Sequence, residues 1–103
     1  MKVQTRLRLS KTTLTHVKDV ATFEQVSVSE EVRRALEPYL AGVKKLPKMP
    51  PPGEIATTCV LEHDDVLYLQ QIAGEANFSV DEALRYAIQE YLHEHAQNSK
   101  TSR

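Results

Sequence analysis

The sequence contains a single cysteine, Cys59, and it has no long apolar run. One cysteine excludes an internal disulfide, which is typical of a protein from a reducing compartment. No stretch approaches the roughly 20 apolar residues needed to cross a bilayer. The first residues also lack the apolar segment of a secretory signal. These absences predict a cytoplasmic protein that does not enter a membrane, with Cys59 as a buried packing residue of a strand.

Catalytic and metal-binding motifs are also missing. The four histidines form no ligand set, and His93 and His95, two residues apart on a predicted helix, point in different directions. A structural zinc site requires more cysteines than one. A Gly-rich phosphate loop, a nucleophile elbow and an HExxH motif are all absent. The sequence therefore predicts a protein that is not an enzyme, without catalytic residues, a cofactor or a metal ion.

Charge is distributed unevenly although the net charge is only −1. Residues 1–53 contain ten Lys and Arg against five Asp and Glu, which gives +5. Residues 54–103 contain three Lys and Arg against nine Asp and Glu, which gives −6. A polyanion is attracted to the first half and repelled by much of the second.

The chain matches itself without a gap at an offset of 52 residues. The segment 2–40 aligns with 54–92, and ten of the 39 aligned pairs are identical, among them Ser27/Ser79, Arg33/Arg85 and Tyr39/Tyr91. Chance would supply roughly two or three identities, because one residue type makes up about 5–8% of a typical chain. Residues 52 positions apart are called counterparts below. Each copy has about 40 residues, near the size below which a fold seldom stands alone, so we expect the copies to complete each other.

Each copy reads as a strand followed by two helices. In both strands apolar or β-branched residues alternate with others, the period of a strand with one buried face. The inward sets are Val3, Thr5, Leu7 and Leu9 in the first copy and Ile55, Thr57, Cys59 and Leu61 in the second. The outward sets are Gln4, Arg6 and Arg8 in the first copy and Ala56, Thr58 and Val60 in the second.

Both second helices begin with a capping-box sequence, at Ser27 to Glu30 and at Ser79 to Glu82. In such a box the serine hydroxyl accepts from the amide three residues on, and the glutamate reaches back to the serine amide. Asp64 and Asp65 suit the first turn of the helix that follows the second strand. The paired Arg33 and Arg85 are expected in salt bridges or on the surface.

The predicted boundaries are residues 1–43 for the first unit, 44–53 for a Pro-rich linker, 54–96 for the second unit and 97–103 for a flexible tail. The linker should be extended, reaching up to roughly 30 Å at about 3.1 Å per residue. Pro38 lies inside the last helix of the first unit, where it removes a backbone donor. We therefore expect a kink or an early end in that helix, whereas the second copy, with Glu90 there, runs on.

A lone strand has unpaired edges, so each strand needs a partner, and the other copy offers one in an antiparallel ribbon. A two-stranded ribbon fits the major groove of B-DNA. The strand with alternating polar residues, the first helix and the Ser-capped second helix resemble the ribbon-helix-helix repressors of the Arc and MetJ type. The resemblance covers Lys2 to about Val43 and Glu54 to about His95. It implies a mainly α fold with a two-stranded antiparallel ribbon, here a tandem single-chain pseudo-dimer.

The resemblance implies a sequence-specific double-stranded DNA-binding protein, a transcriptional repressor, and assigns roles by position. The base-reading positions are Gln4, Arg6 and Arg8, with Ala56, Thr58 and Val60 in the second copy. The phosphate-binding positions are Lys2, Ser27, Val28, Ser79 and Val80. Arginine can pair bidentately with guanine and glutamine with adenine, whereas Ala56, Thr58 and Val60 cannot. The implied target site is asymmetric, and self-association of two molecules on DNA would extend the short contact.

Two alternatives remain open at the level of sequence. The acidic second unit could bind a protein partner, as in an antitoxin-like or other protein-interaction module. The same DNA contacts could also serve an accessory protein of plasmid transfer or partition.

Overall fold

The computed structural model describes the backbone of residues 1–101 and the side chains of residues 1–95. Two strands and four helices follow one another along this part of the chain. They are β1 (Lys2–Leu9), α1 (Lys11–Glu24), α2 (Val28–Leu40), β2 (Ile55–Glu62), α3 (His63–Glu75) and α4 (Val80–Thr101). The fold is a small mixed one, with a two-stranded antiparallel sheet and four helices.

The two strands pair with each other along their whole length, as the sequence predicts. Their register runs from Lys2 opposite Glu62 to Leu9 opposite Ile55. At its centre Arg6 lies opposite Thr58, which is its own counterpart. Residues at even positions of both strands are exposed, and those at odd positions are buried or partly buried. The predicted inward and outward sets are thus confirmed.

Burial of the inward face is concentrated at one end of each strand. Leu7, Leu9, Cys59 and Leu61 are at most 3% exposed. Val3 and Thr5, with their counterparts Ile55 and Thr57, are only partly buried. Because the strands are antiparallel, each deeply buried residue lies opposite a partly buried one, for example Leu7 opposite Thr57. The helices therefore cover the two diagonal corners of the ribbon.

One hydrophobic cluster holds the elements together. It contains β-strand residues such as Leu7 and Leu61 together with helix residues such as Val32, Leu84 and Ile88. Both halves of the chain contribute to it, which agrees with the expectation that neither copy has a sufficient core alone. Burial of apolar surface stabilises a fold by about 25 cal/mol per Å². This shared core therefore holds the ribbon against the helices.

Both helix pairs turn in the same way. Gln25 and its counterpart Asn77 have positive φ angles of 59° and 60°. The amide of Val26 donates to Ala21 at 3.0 Å, and the amide of Phe78 donates to Ala73 at 2.8 Å. A left-handed residue with such a bond closes the C-terminus of a helix and reverses the chain. Asparagine adopts this conformation readily, whereas glutamine does so less often.

Pro38 is followed by the end of its helix two residues later, at Leu40, in agreement with the predicted early end. The chain then turns through Gly42, whose φ is 77°. The carbonyl of Pro38 accepts from the amides of Val43 and Lys44. Without a proline or glycine, α4 instead continues to Thr101. The second unit was predicted to end at residue 96, so the helical backbone extends through most of the predicted tail, of which residues 102–103 lie outside the described residues.

Candidate nucleic-acid interface

The exposed face of the ribbon carries the predicted base-reading residues on one surface. The face consists of Lys2, Gln4, Arg6 and Arg8 on β1 and Ala56, Thr58, Val60 and Glu62 on β2. The register sets Gln4 beside Val60, Arg6 beside Thr58 and Arg8 beside Ala56. Four residues on alternate positions span about 20 Å at roughly 3.4 Å per residue. A two-stranded ribbon of this kind is narrow enough for the major groove, which is about 12 Å wide.

Positive charge on this face lies on β1. Lys2, Arg6 and Arg8 stand on that strand, whereas β2 contributes only the carboxylate of Glu62. Glu62 is paired with the N-terminal ammonium group of Met1 at 3.3 Å. Within the described side chains, no hydrogen bond or ion pair engages the guanidinium of Arg6 or Arg8. Both cations are therefore available to a ligand.

The second strand presents a different chemistry. Ala56, Thr58 and Val60 are exposed, and Val60 is 43% exposed despite being apolar. Only Thr58 among them has a polar side chain, and a hydroxyl can hydrogen-bond to several base edges. An alanine or valine can contact a thymine methyl group. The two edges of the ribbon thus differ in polarity as well as in charge.

The open edges of the ribbon are closed by the N-terminal turns of α2 and α4. Ser29 Oγ accepts from the amide of Val60 at 2.8 Å. Its counterpart Asp81 accepts through Oδ1 from the amide of Arg8, which is the counterpart of Val60. Satisfying these edge amides removes a place where another strand could add. The sequence reasoning missed Ser29 and Asp81, although their position two residues after each serine cap was the available signal.

The N-terminus of α2 does not form the full capping box that its sequence predicts. Ser27 Oγ accepts from the amide of Glu30 at 3.0 Å, as expected. The Glu30 carboxylate, however, does not reach back to Ser27: both of its oxygens accept from Nε of Arg33 at 2.9 Å. The bond from Arg33 lowers the pKa of Glu30. Arg33 lies one helical turn from Glu30 and has the opposite charge, so the two side chains can form an ion pair.

The N-terminus of α4 has the complete box. Ser79 Oγ accepts from the amide of Glu82 at 3.1 Å, and Glu82 Oε1 accepts from the amide of Ser79 at 2.9 Å. Asp81 adds a second carboxylate to this turn. The first turn of α2 likewise has two acidic residues, Glu30 and Glu31. The two predicted phosphate sites therefore differ in their serine amides: Glu82 accepts from the Ser79 amide, whereas Glu30 is bonded to Arg33 and not to the Ser27 amide.

The remaining predicted phosphate-binding residues differ in exposure. Lys2 is exposed at the start of β1. Val28 and Val80 are partly buried and pack against the core cluster. Their amides, the first of α2 and α4, are the groups that a phosphate could use, since the first amides of a helix lack intrahelical partners.

The paired arginines have different roles. Arg33 forms ion pairs with Glu30 and Glu37 on its own helix, and its side chain is 48% exposed. Arg85 is only 8% exposed in its side chain and donates to backbone carbonyls of Pro51 and Arg8 and to Asp81. The predicted salt bridges are present in both, but the burial of Arg85 was not foreseen. The local sequences differ in where the carboxylate stands, since Asp81 precedes Arg85 by four residues and Glu37 follows Arg33 by four.

Cys59 lies inside the core, and burial raises the pKa of its thiol to about 11. A thiol with a raised pKa is a poor nucleophile at neutral pH, which fits the predicted packing role. Among the side chains that the structure describes, no three His, Cys, Asp or Glu residues are grouped so that they could hold a metal ion. Within the same part of the chain, none of the helices has the length and apolar character to span a bilayer.

Searches against protein-family models, curated proteins and solved structures returned no significant match for this chain.

Proposed function

We propose that this chain is a sequence-specific double-stranded DNA-binding protein, acting as a transcriptional repressor, that inserts its two-stranded ribbon in the major groove. The observation that carries the proposal is the exposed ribbon face with Arg6 and Arg8 unpaired. Unpaired arginines on a narrow ribbon suit bidentate contacts with guanine. The helix N-termini also hold both edges of this ribbon, at the amides of Arg8 and Val60.

We further propose that the fold is a tandem ribbon-helix-helix pseudo-dimer, as the sequence resemblance implies. Three local features support an approximate twofold relation between the halves. Arg6 pairs with its counterpart Thr58 at the centre of the ribbon. Gln25 and Asn77 share the left-handed conformation. Ser29 and Asp81 accept from counterpart amides on opposite edges of the ribbon. An internal twofold axis matches the symmetry by which dimers meet DNA half-sites.

The proposed contact with DNA is lopsided. Base reading by hydrogen bonds belongs to Gln4, Arg6 and Arg8, with Thr58 assisting, while Ala56 and Val60 contact methyl groups. Phosphate contacts at Lys2, Ser27 and Val28 are favoured over those at Ser79 and Val80, because Glu82 occupies the Ser79 amide whereas Glu30 is bonded to Arg33 instead of the Ser27 amide. The target should therefore be an asymmetric site bound in one orientation.

The test is the affinity of Arg6→Ala and Arg8→Ala for a duplex selected from a random pool with the wild-type chain. Each bidentate arginine contact contributes about 1–3 kcal/mol, so each variant should bind roughly 5- to 150-fold more weakly. Lys18→Ala, which removes an exposed cation from α1 instead of the ribbon, is the matched control and should lose less than about twofold. Losses under about twofold for both arginine variants, with the fold intact, would exclude the ribbon as the reading surface.

A second candidate is a protein-interaction module of the antitoxin type, favoured by the net charge of −6 on residues 54–103. A salt titration separates the two. Affinity for DNA falls steeply with salt because bound counterions are released, whereas an apolar protein interface changes little. A protein of plasmid transfer or partition would use the same DNA contacts, so its affinity for DNA would show the same dependence on salt.

A further inference from the structure

Among the side chains that the structure describes, those of another element bind both the amide and the carbonyl of Arg8 and of no other residue on the exposed ribbon face. Its amide donates to Asp81 Oδ1, and its carbonyl accepts from Arg85 Nη1 at 3.1 Å. Both groups belong to the open edge of β1, because Arg8 faces Ala56 across the ribbon without using them. Residues of an antiparallel pair alternate between bonding the partner strand and bonding outward.

Asp81 and Arg85 form one rigid unit, here called the Asp81–Arg85 clamp. They lie one turn apart on α4, and Arg85 Nη1 is 3.2 Å from Asp81 Oδ2. Arg85 Nε also donates to the carbonyl of Pro51. A guanidinium has five N–H donors in a fixed planar arrangement, so one buried arginine can fix several acceptors at once. The clamp therefore ties α4, the linker and the end of β1 together.

A glycine in the linker, Gly53, leaves room for the Arg85 side chain. A Cβ atom added at Gly53 would lie 2.6 Å from Arg85 Cδ and 2.7 Å from the carbonyl oxygen of Arg8. The second neighbour is backbone and cannot move aside without disturbing the ribbon. Glycine is the residue that permits such a close approach of two backbone segments. The clamp on α4 thus contacts two other parts of the chain, the linker and the end of β1.

The other end of the ribbon has only half of this arrangement. Ser29 accepts from the amide of Val60, as Asp81 does from Arg8. Arg33, the counterpart of Arg85, is instead engaged with Glu30 and Glu37 on the surface of α2. The residue held there, Val60, has an apolar side chain. The full clamp lies where the ribbon carries an arginine.

We propose that Asp81 and Arg85 are positioning residues for Arg8, which set the direction in which its guanidinium leaves the ribbon and thereby the base preference at one position of the DNA site. The inference rests on the proposed DNA-binding function. A bidentate contact depends on direction as well as on charge. Fixing the backbone of Arg8 lowers the conformational freedom that is lost when the contact forms.

The test compares Asp81→Ala, Asp81→Ser and Arg85→Gln, with Arg33→Gln as the matched control at the counterpart position. The DNA probe is the duplex selected by the wild-type chain, together with its single-base-pair variants. The base pair read by Arg8 is the one whose preference Arg8→Ala abolishes. Amide hydrogen exchange at Arg8 reports the clamp without DNA, and circular dichroism reports the fold.

In Asp81→Ala the exchange rate of the Arg8 amide should rise at least about tenfold, because its acceptor is lost. Asp81→Ala and Arg85→Gln should each reduce the preference at the Arg8 base pair by at least about fivefold, within the range of one bidentate contact. Preferences at other base pairs and the salt dependence should stay within about twofold. Asp81→Ser should retain the preference, because a serine hydroxyl accepts the equivalent bond at Ser29. Arg33→Gln should leave it unchanged.

Folded Asp81→Ala with a rapidly exchanging Arg8 amide but an unchanged base preference would overturn the positioning role. A uniform loss at every base pair would also overturn it, since that result describes general destabilisation. A wild-type chain that binds duplexes without any base preference would overturn the proposed function and this inference together. A wild-type preference that Arg8→Ala removes and Asp81→Ala preserves would overturn this inference alone.

Discussion

The first and second halves of the chain place the same elements in the same order, yet they use their charged residues in opposite ways. In the first half the charged groups of the ribbon face outward, and Arg33 lies on the surface of α2. In the second half the ribbon face contains no arginine, and the buried Arg85 bonds the backbone of the linker and of β1. The same order of elements can therefore place exposed arginines on the ribbon in one half and, in the other half, a buried arginine that holds the backbone beside them.

The same contrast appears in the core. Glu31 is fully buried in α2, whereas its counterpart in α4 is the buried Ala83. Glu31 Oε1 lies 3.3 Å from Arg34 Nη1, and Arg34 also bonds Glu24 at 2.9 Å. The other oxygen of Glu31 has no hydrogen-bond partner among the described residues. The first half therefore contains a buried carboxyl group, bonded to a partly exposed arginine, at a place where the second half packs a methyl group.

The largest expected effect tests whether the two unlike halves share one core. Leu36→Ala and Ile88→Ala truncate counterpart residues that are at most 1% exposed. Each should lower the free energy of unfolding by about 2–5 kcal/mol. Because both residues belong to one cluster, chemical denaturation should show a single transition that shifts in either variant.

Leu67→Ala, at a residue that is 50% exposed on α3, serves as the control and should change stability by less than about 0.5 kcal/mol. Two separate transitions, with Leu36→Ala affecting one and Ile88→Ala the other, would show that the halves fold independently.

The sequence predicted those features that depend on neighbours along the chain. Alternation in Val3 to Leu9 predicted which strand face is buried, and the offset match predicted that β1 pairs with β2. Ser27 and Ser79 predicted the starts of α2 and α4, and Pro38 predicted an early end of α2. Each of these follows from local chemistry that any tertiary setting must respect.

Features that depend on contacts between residues distant in the sequence could not be predicted in this way. Arg33 and Arg85 occupy equivalent positions, but Arg85 alone of the two bonds the backbone of the linker and of β1, which are distant from it in the sequence. Glu30 and Glu82 both follow a serine cap and precede an arginine by three residues, but Arg85 is bonded to Asp81, Pro51 and Arg8, so only Arg33 binds its glutamate. The burial of Glu31 had one signal, because its counterpart Ala83 is apolar at the same helical position.

A smaller effect concerns the pH dependence that Glu31 imposes on the first half. Burial, followed by the neighbouring Glu24 carboxylate, raises the pKa of Glu31 above the usual 4.5. The interaction with Glu31 in turn lowers the pKa of Glu24. Tyr91 also faces the pair from α4, where burial and a bond to Glu31 raise its pKa to about 12. His95 of α4 lies 3.7 Å from Glu24, so four titratable groups meet between α1, α2 and α4.

A group with a raised pKa in the folded state stabilises the fold below its unfolded pKa and loses that contribution as pH rises through the folded pKa. The wild-type chain should therefore lose stability above pH 4.5, by at most about 1.4 kcal/mol per pH unit. Glu31→Gln keeps the shape without the ionisation and should flatten this decline in urea melts from pH 5 to pH 8. Glu37→Gln, at an exposed site of the same helix, should retain the wild-type slope. A slope that Glu31→Gln leaves as steep would place the pH sensitivity elsewhere.

The smallest expected effect sharpens the contrast between the two helix starts. In α4 the Glu82 carboxylate accepts from the Ser79 amide, so Glu82→Ala should cost about 0.5–1.5 kcal/mol of unfolding free energy. In α2 the Glu30 carboxylate is engaged in a partly exposed ion pair with Arg33 on the same helix, and such pairs contribute little. Glu30→Ala should therefore cost less than about 0.5 kcal/mol. Equal costs would mean that Glu30 caps α2 in solution as Glu82 caps α4, and the serine amides of the two helix starts would then be occupied alike.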